Sequence, residues 1–196
     1  MRKRHVRLTV LLLSLLLLAL LYPSPASCQS TPAEGAVFPD ISLPLPQRVE
    51  ERNYLAVEEG PFKLSRIKSE IIILEIFSMY CPHCQKEAPV VNTLFKAISV
   101  KPELKSRIKL LGIGAGNTAF EVNAFRNLYN IEFPLLPDGN LAIHKLVGGV
   151  GTPYFFVLRN KGSRKLEVIY SKVGSFGEPD EFLNTILAKA GGKAKK

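Results

Sequence analysis

The sequence predicts an α/β fold in which helices cover both faces of a mixed central sheet. One observation is the run IIILEIF of residues 71–77, whose apolar side chains do not alternate with polar ones, as in a strand covered on both faces. The other is the alternation of such strands with amphipathic helices along the chain. With 196 residues, 46% of them hydrophobic, the chain is long enough for one domain with a real core.

The first 28 residues predict an export signal. Residues 1–7 are basic, residues 8–21 are almost entirely leucine, and small or helix-breaking residues follow. This order is typical of a secretory signal peptide. The alternative, a membrane anchor, is disfavoured because the apolar run is shorter than the roughly 20 residues that span a bilayer.

Cys28 ends this region and has two interpretations. Residues 26–28 resemble the end of a bacterial lipoprotein signal, which implies a lipid on Cys28, although Pro25 stands where such signals carry an aliphatic residue. The alternative is a thiol without a role in a flexible or discarded segment. Contact with a membrane is expected only through the signal or such an anchor.

The charge of the chain argues against nucleic-acid binding. The net charge is +9, but four of the 26 basic residues lie within residues 1–7, so that residues 28–196 carry +5. These residues show no basic stripe with interleaved aromatic side chains, the pattern of a nucleic-acid interface.

Residues 29–47 contain four prolines and predict an extended leader that is not packed. A domain over residues 48–191 and a basic tail over residues 192–196 follow. Apolar periodicity and turn residues predict the elements of the domain. They begin with a short strand or turn followed by a helical turn over 60–69. Strands are predicted over 71–77, 108–112, 152–158 and 166–174, a short strand with a turn over 133–140, and helices over 82–100, 118–130, 141–147 and 179–190.

In the helix over residues 118–130, the inward-facing side chains are predicted to be Phe120, Ala124, Phe125 and Leu128. The GIGAG segment, residues 112–116, follows a strand but lacks the G-x-G-x-x-G spacing, so it predicts a flexible loop rather than a dinucleotide site.

The chemistry of the chain centres on Cys81-Pro82-His83-Cys84, where the strand gives way to a helix. A helix N-terminus favours a thiolate, which is the nucleophile in disulfide exchange. Pro82 suits the first turn, and His83 can add a positive charge or a hydrogen bond to the Cys81 sulfur. Cys84, one turn along, can close a disulfide, so Cys81 is predicted to attack and Cys84 to resolve.

This stretch resembles the active site of the thioredoxin superfamily, and CPHC is the variant typical of DsbA-type disulfide oxidants. The resemblance implies a thioredoxin-like fold, with a buried acid at Glu75 and a helix-kinking proline at Pro89. It also makes Pro153, in GTPYFFVL, a cis-proline and Thr152 its substrate-contacting neighbour. Burial raises the pKa of a carboxyl, so we expect Glu75 to relay a proton to or from Cys84.

The segment FRNLYNIEFPLLPDGN, residues 125–140, lies among the 71 residues that separate Cys81 from Pro153. Together with GTPYFFVL it resembles the short central insert of the TlpA/ResA branch, which is shared with peroxiredoxins. The resemblance covers residues 38–190. It implies a thiol-disulfide oxidoreductase of the bacterial periplasm or cell envelope, with no cofactor besides the Cys81–Cys84 disulfide. Protein thiols or disulfides are then the substrates, and a membrane redox partner and apocytochrome c are the expected partners.

Other functions are weaker matches. A zinc site needs four ligands, whereas the cysteine pair stands alone and His5 and His144 are not spaced to complete it, so no metal is expected. His144 is predicted to be a surface or packing residue. A peroxiredoxin-like thiol peroxidase needs a Pro-x-x-x-Thr-x-x-Cys setting, which neither Cys81 nor Cys84 has. A non-catalytic binding module on the same fold stays open, as does the direction of electron flow.

Overall fold

The structure is a computed structural model that describes residues 30–162 and 165–191. The signal predicted over residues 1–28, with Cys28, and the tail predicted over residues 192–196 lie outside this range. Among the described residues, no helix combines the length and the hydropathy that crossing a bilayer requires.

Eight strands and six α-helices are described, and most follow the predicted order. The strands are β1 (Val37–Phe38), β2 (Ser42–Leu43), β3 (Phe62–Lys63), β4 (Ile71–Phe77), β5 (Ile108–Ala115), β6 (Leu135–Asp138), β7 (Tyr154–Asn160) and β8 (Leu166–Val173). The helices are α1 (Val49–Leu55), α2 (Pro82–Ser99), α3 (Pro102–Arg107), α4 (Ala119–Tyr129), α5 (Ala142–Leu146) and α6 (Pro179–Gly191), with a 3-10 turn at Leu64–Arg66.

The main sheet has the order β1-β8-β7-β4-β5-β6. The central strand β4 pairs in parallel with β5 and antiparallel with β7. All seven residues of β4 are buried, as expected for a strand covered on both faces. The predicted mixed sheet is therefore present.

Alternate residues of β4 enter two separate cores. Ile71, Ile73 and Phe77 face the core formed with α2, α4 and α6, whereas Ile72, Leu74 and Ile76 face the core on the other side. The second core is closed by α1, α5 and the leader. Helices thus cover both faces of the sheet, as predicted, and Glu75 points to the side of α2 because it shares its face with Ile73 and Phe77.

The leader differs from the prediction, because it is packed. Phe38, Ile41 and Leu43 are at most 2% exposed, and Phe38 pairs with Leu166 of β8. Its prolines prevent a long strand but not extended backbone. Apolar side chains two or three residues apart therefore still reach the core, and the packed part of the chain begins before residue 48.

Two further predictions are wrong, the first only in part. Phe120 and Leu128 of α4 are 81% and 69% exposed instead of buried, whereas Phe125 faces the core as predicted, together with Val122. The GIGAG segment is largely strand, since β5 runs to Ala115. Gly112 fits there because a β-carbon would lie 2.6 Å from Leu135 Cδ2 of the neighbouring strand.

Candidate active site

The CPHC motif lies at the junction between β4 and α2. Cys81 has extended backbone angles and forms the N-cap of α2, and Pro82 occupies the first turn, where its missing N–H costs no hydrogen bond. The Cys81 N–H donates to the Ser78 carbonyl oxygen at 3.1 Å, which closes a turn between strand and helix. The sulfur of Cys81 therefore sits at the positive end of the helix dipole, as the sequence predicts.

The two thiols differ in exposure. Cys84 lies in the first turn of α2 and is fully buried, whereas Cys81 is half-buried at the surface, and both are free thiols among the described residues. The Cys81 thiol donates to the Thr152 carbonyl oxygen at 3.2 Å. An incoming substrate sulfur can reach Cys81 first.

The surroundings separate the pKa values of the two thiols. At Cys81, partial burial opposes ionisation, but hydrogen bonds from the Thr152 side chain and from the backbone N–H groups of Cys84 and His83 outweigh it and lower the pKa. At Cys84, burial is the main cause of a strongly raised pKa, and the charge of Glu75 adds to it. The arrangement favours a Cys81 thiolate beside a protonated Cys84.

The structure gives His83 a different contact from the one predicted. Its backbone N–H contributes to the lowered pKa of Cys81, whereas its side chain is exposed and lines a neighbouring groove. Stabilisation of the thiolate by the imidazole stays a prediction.

Glu75 is buried in the middle of β4, with 4% of its surface exposed. Burial is the larger cause, and the neighbouring Glu87 the smaller, of a pKa raised to about 8. The raised pKa expected from the sequence is present. Because Glu75 also raises the pKa of Cys84, the carboxyl and the inner thiol are electrostatically coupled.

Glu87 is a second buried acid and is absent from the sequence predictions. It is 6% exposed on α2, and its Oε1 accepts a hydrogen bond from Ser175 Oγ at 2.9 Å. The sequence feature that could have identified Glu87 is its position in the apolar stripe of the helix, three residues after Cys84 and one before Ala88. A charged residue in such a stripe marks either a buried partner or a functional site.

The side-chain amides of Asn117 and Gln85 form hydrogen bonds with the segment between β4 and Cys81. Asn117, which is fully buried, accepts the Met79 N–H on its Oδ1 at 2.8 Å. Gln85 Nε2 donates to the Met79 carbonyl oxygen, also at 2.8 Å. Neither residue belongs to a motif, so the sequence gives no reason to single them out. Their hydrogen bonds fix the backbone that leads into the N-cap cysteine.

The Thr152–Pro153 peptide bond is cis, as the resemblance implies, and it lies directly against Cys81 through the Thr152 carbonyl oxygen. The Pro153 carbonyl oxygen accepts the Gly174 N–H at 2.8 Å, which joins this loop to the end of β8. Beside it lies an open groove of about 730 Å³, which we call the active-site groove. The groove is lined by His83, Lys86, Glu87, Pro89, Val90, Thr93, Thr152, Pro153, Val173, Gly174, Ser175, Gly177, Glu178 and Pro179.

Pro89 lies in the middle of helix α2, several residues from either end. Its side chain is exposed and lines the active-site groove. Because a proline lacks an N–H, the Gln85 carbonyl cannot receive the usual helical hydrogen bond there. The proline predicted from the sequence is thus inside the helix and next to the candidate substrate surface.

Comparison with known proteins identifies the family. The model described as the AhpC/TSA family matches residues 35–165, more than half of the chain. The chain belongs to the AhpC/TSA family. This match includes the CPHC motif and the cis-proline loop, and it confirms the predicted kinship with thioredoxin-like proteins.

Relatives of this AhpC/TSA family member carry the name thiol-disulfide oxidoreductase ResA. The protein from Bacillus thuringiensis subsp. konkukian is 25% identical over 54% of this chain and 58% of its own length, so the match spans less than two thirds of that relative. The protein from Geobacillus thermodenitrificans is 25% identical over 84% of this chain and 86% of its own length. The expected ResA-like branch is therefore supported.

Solved structures show the same fold. The crystal structure of StoA from Bacillus subtilis superposes with a TM-score of 0.54 at 21% identity and covers 79% of this chain and 99% of that protein. The thioredoxin-like fold predicted from the sequence is confirmed.

Proposed function

We propose that this protein is a thiol-disulfide oxidoreductase that exchanges a Cys81–Cys84 disulfide or dithiol with protein substrates. The observation that supports it most directly is the pairing of an accessible N-cap thiol of lowered pKa with a buried thiol of raised pKa, one helical turn apart. These are the properties of an attacking and a resolving cysteine.

In the reducing direction, the Cys81 thiolate attacks a substrate disulfide. The substrate S–S bond breaks, a Cys81–substrate disulfide forms, and the released substrate thiolate takes up a proton. Cys84 then loses its proton and attacks the Cys81 sulfur, which releases the second substrate thiol and leaves the Cys81–Cys84 disulfide. Two electrons pass to the substrate, and the oxidising direction is the reverse.

Glu75 is the group proposed to exchange the Cys84 proton. The Cys84 thiol is buried, so water has poor access to it, and a carboxyl of pKa about 8 can accept or give a proton near neutral pH. Thr152 and Pro153 are proposed to contact the substrate chain, because the cis-proline loop lies at the attacking sulfur and opens onto the active-site groove.

We further propose that the protein is exported to the bacterial periplasm or cell envelope. The basic and leucine-rich N-terminal residues support this, as does the need for a compartment in which disulfides persist. A membrane redox partner then resets the cysteine pair, and apocytochrome c is one candidate substrate. Labelling with a radioactive fatty acid tests an anchor at Cys28, and an unlabelled mature chain would exclude it.

Turnover of insulin disulfides in a glutathione redox buffer tests the activity. We expect turnover by the full chain, its loss in Cys81→Ser, and a trapped substrate disulfide in Cys84→Ser, since only the resolving thiol is missing there. The absence of turnover at any redox poise would favour a non-catalytic binding module. Consumption of hydrogen peroxide without insulin turnover would favour a peroxiredoxin-like thiol peroxidase.

A further inference from the structure

His144 contacts the loop that leads to the active site. It lies on α5, is half-buried, and its Nε2 is 2.7 Å from the carbonyl oxygen of Val150. A carbonyl oxygen can only accept, so Nε2 is the donor, and it carries a hydrogen both in that neutral tautomer and in the imidazolium. The contact therefore does not depend on whether the ring is charged.

The helix that carries His144 is itself fixed at its start. The buried Asp138 at the end of β6 accepts the Ile143 N–H on Oδ1 at 3.0 Å and the His144 N–H on Oδ2 at 2.8 Å. A carboxylate at this position satisfies N–H groups of the first turn, which otherwise lack partners. The backbone that carries the His144 imidazole is therefore held in place by two hydrogen bonds to Asp138.

The segment that His144 holds is conformationally permissive. Gly148 and Gly149 have φ angles of +94° and +61°, and glycine loses more chain entropy on ordering than other residues. The loop continues through Val150 to Thr152, whose carbonyl oxygen accepts the hydrogen of the Cys81 thiol at 3.2 Å. The hydrogen bond from His144 to the Val150 carbonyl, two residues before Thr152, therefore limits where the cis-proline loop can lie relative to the Cys81 sulfur.

We propose that His144 is a positioning residue of the redox site, which holds the Val150 carbonyl so that Thr152 and Pro153 are presented to Cys81 and to the substrate. This role rests on the proposed function. His144 is outside every motif that points to the cysteine pair, and it acts through the loop rather than on the reacting sulfur atoms.

The test compares the full chain with three variants. His144→Leu removes the donor, His144→Gln keeps an N–H donor on a side chain long enough to reach, and His144→Asn has a donor that is too short. The readouts are KM and kcat for insulin disulfides and the pH titration of the Cys81 thiolate, followed by its absorbance at 240 nm. Lys145→Gln, an exposed neighbour on the same helix, is the control.

We expect His144→Leu and His144→Asn to raise KM roughly fivefold, the net worth of one hydrogen bond. The Cys81 titration should shift to higher pH, because the Thr152 side chain, whose hydrogen bond lowers the pKa of Cys81, is then less well placed. His144→Gln should restore both, and Lys145→Gln should change neither. A folded Leu or Asn variant with the KM and titration of the parent would overturn the proposal, as would failure of Gln to rescue. If the parent chain shows no turnover, the proposed function fails, and the titration alone still decides whether His144 positions the loop at Cys81.

Discussion

The ionisation of Glu75 should make the stability of the protein depend on pH. In the folded chain its pKa is about 8, against an ordinary value of 4.5, because the carboxyl is buried and lies near Glu87. The unfolded chain therefore loses this proton at lower pH than the folded chain. Between the two pKa values the unfolded state binds fewer protons, so the free energy of unfolding falls as pH rises.

Glu75→Gln removes this effect, since glutamine matches the protonated acid in size and cannot ionise. With 1.36 kcal/mol per pKa unit, the neutralised acid costs about 3 kcal/mol at pH 7 and almost nothing at pH 4. We expect the variant to be more stable than the parent by about that amount at pH 7, with the difference vanishing toward pH 4. Urea unfolding of the reduced proteins across this range measures it.

Glu70→Gln is a matched control. Glu70 directly precedes the same strand, but it is exposed and a hydrogen bond from Arg107 lowers its pKa. Its removal should change stability slightly and with the opposite sign above pH 4.5. If Glu75→Gln gave the same change in stability at pH 4 and pH 7, the carboxyl would not be held neutral by burial, and its role as a proton carrier would lose its basis.

Two further predictions concern the redox couple and the loop. The CPHC motif resembles that of DsbA-type oxidants, and the lowered pKa of Cys81 stabilises the reduced form. The potential of the Cys81–Cys84 couple, measured against glutathione, should therefore lie above that of thioredoxin, and a value near −270 mV or below contradicts this. Gly148→Ala should destabilise the fold by roughly 1–3 kcal/mol in urea unfolding, because φ is +94° and the new β-carbon lies 2.5 Å from the Thr31 nitrogen. Gly149→Ala, with φ +61° and no atom within 4 Å of the new β-carbon, should lose less, and equal losses would argue against the contact with Thr31.

The sheet and the redox pair could be predicted from the sequence because each rests on a local signal. A run such as Ile71–Phe77, apolar except for Glu75 and without polar alternation, requires cover on both faces. A Cys-Pro-x-Cys at a strand-to-helix junction places a thiol at an N-cap. The fold around these elements then followed from the alternation of strand and helix. Signals of this kind are present in the residues themselves and do not depend on distant partners.

The orientation of α4 could not be predicted, because this helix carries two apolar stripes. Phe120, Ala124 and Leu128 recur every four residues, but Val122 and Phe125 form a second stripe, and the second one faces the sheet. Tertiary contacts determine which of the two stripes faces the sheet. Arg126, next to Phe125, forms a buried ion pair with Glu51 of α1, with Nη2 2.7 Å from the carboxylate. Burial of this pair fixes the rotation of the helix and leaves the first stripe exposed.

The functional residues that no motif identifies act through contacts that only the fold brings together. Glu87 receives a hydrogen bond from Ser175, and His144 binds the backbone of a loop that matters only because Thr152 lies against Cys81. A motif identifies the sulfur atoms because their chemistry needs a fixed local spacing. The groups that set the pKa values and the geometry of those atoms need only be near in space, so the fold must be known before their roles can be argued.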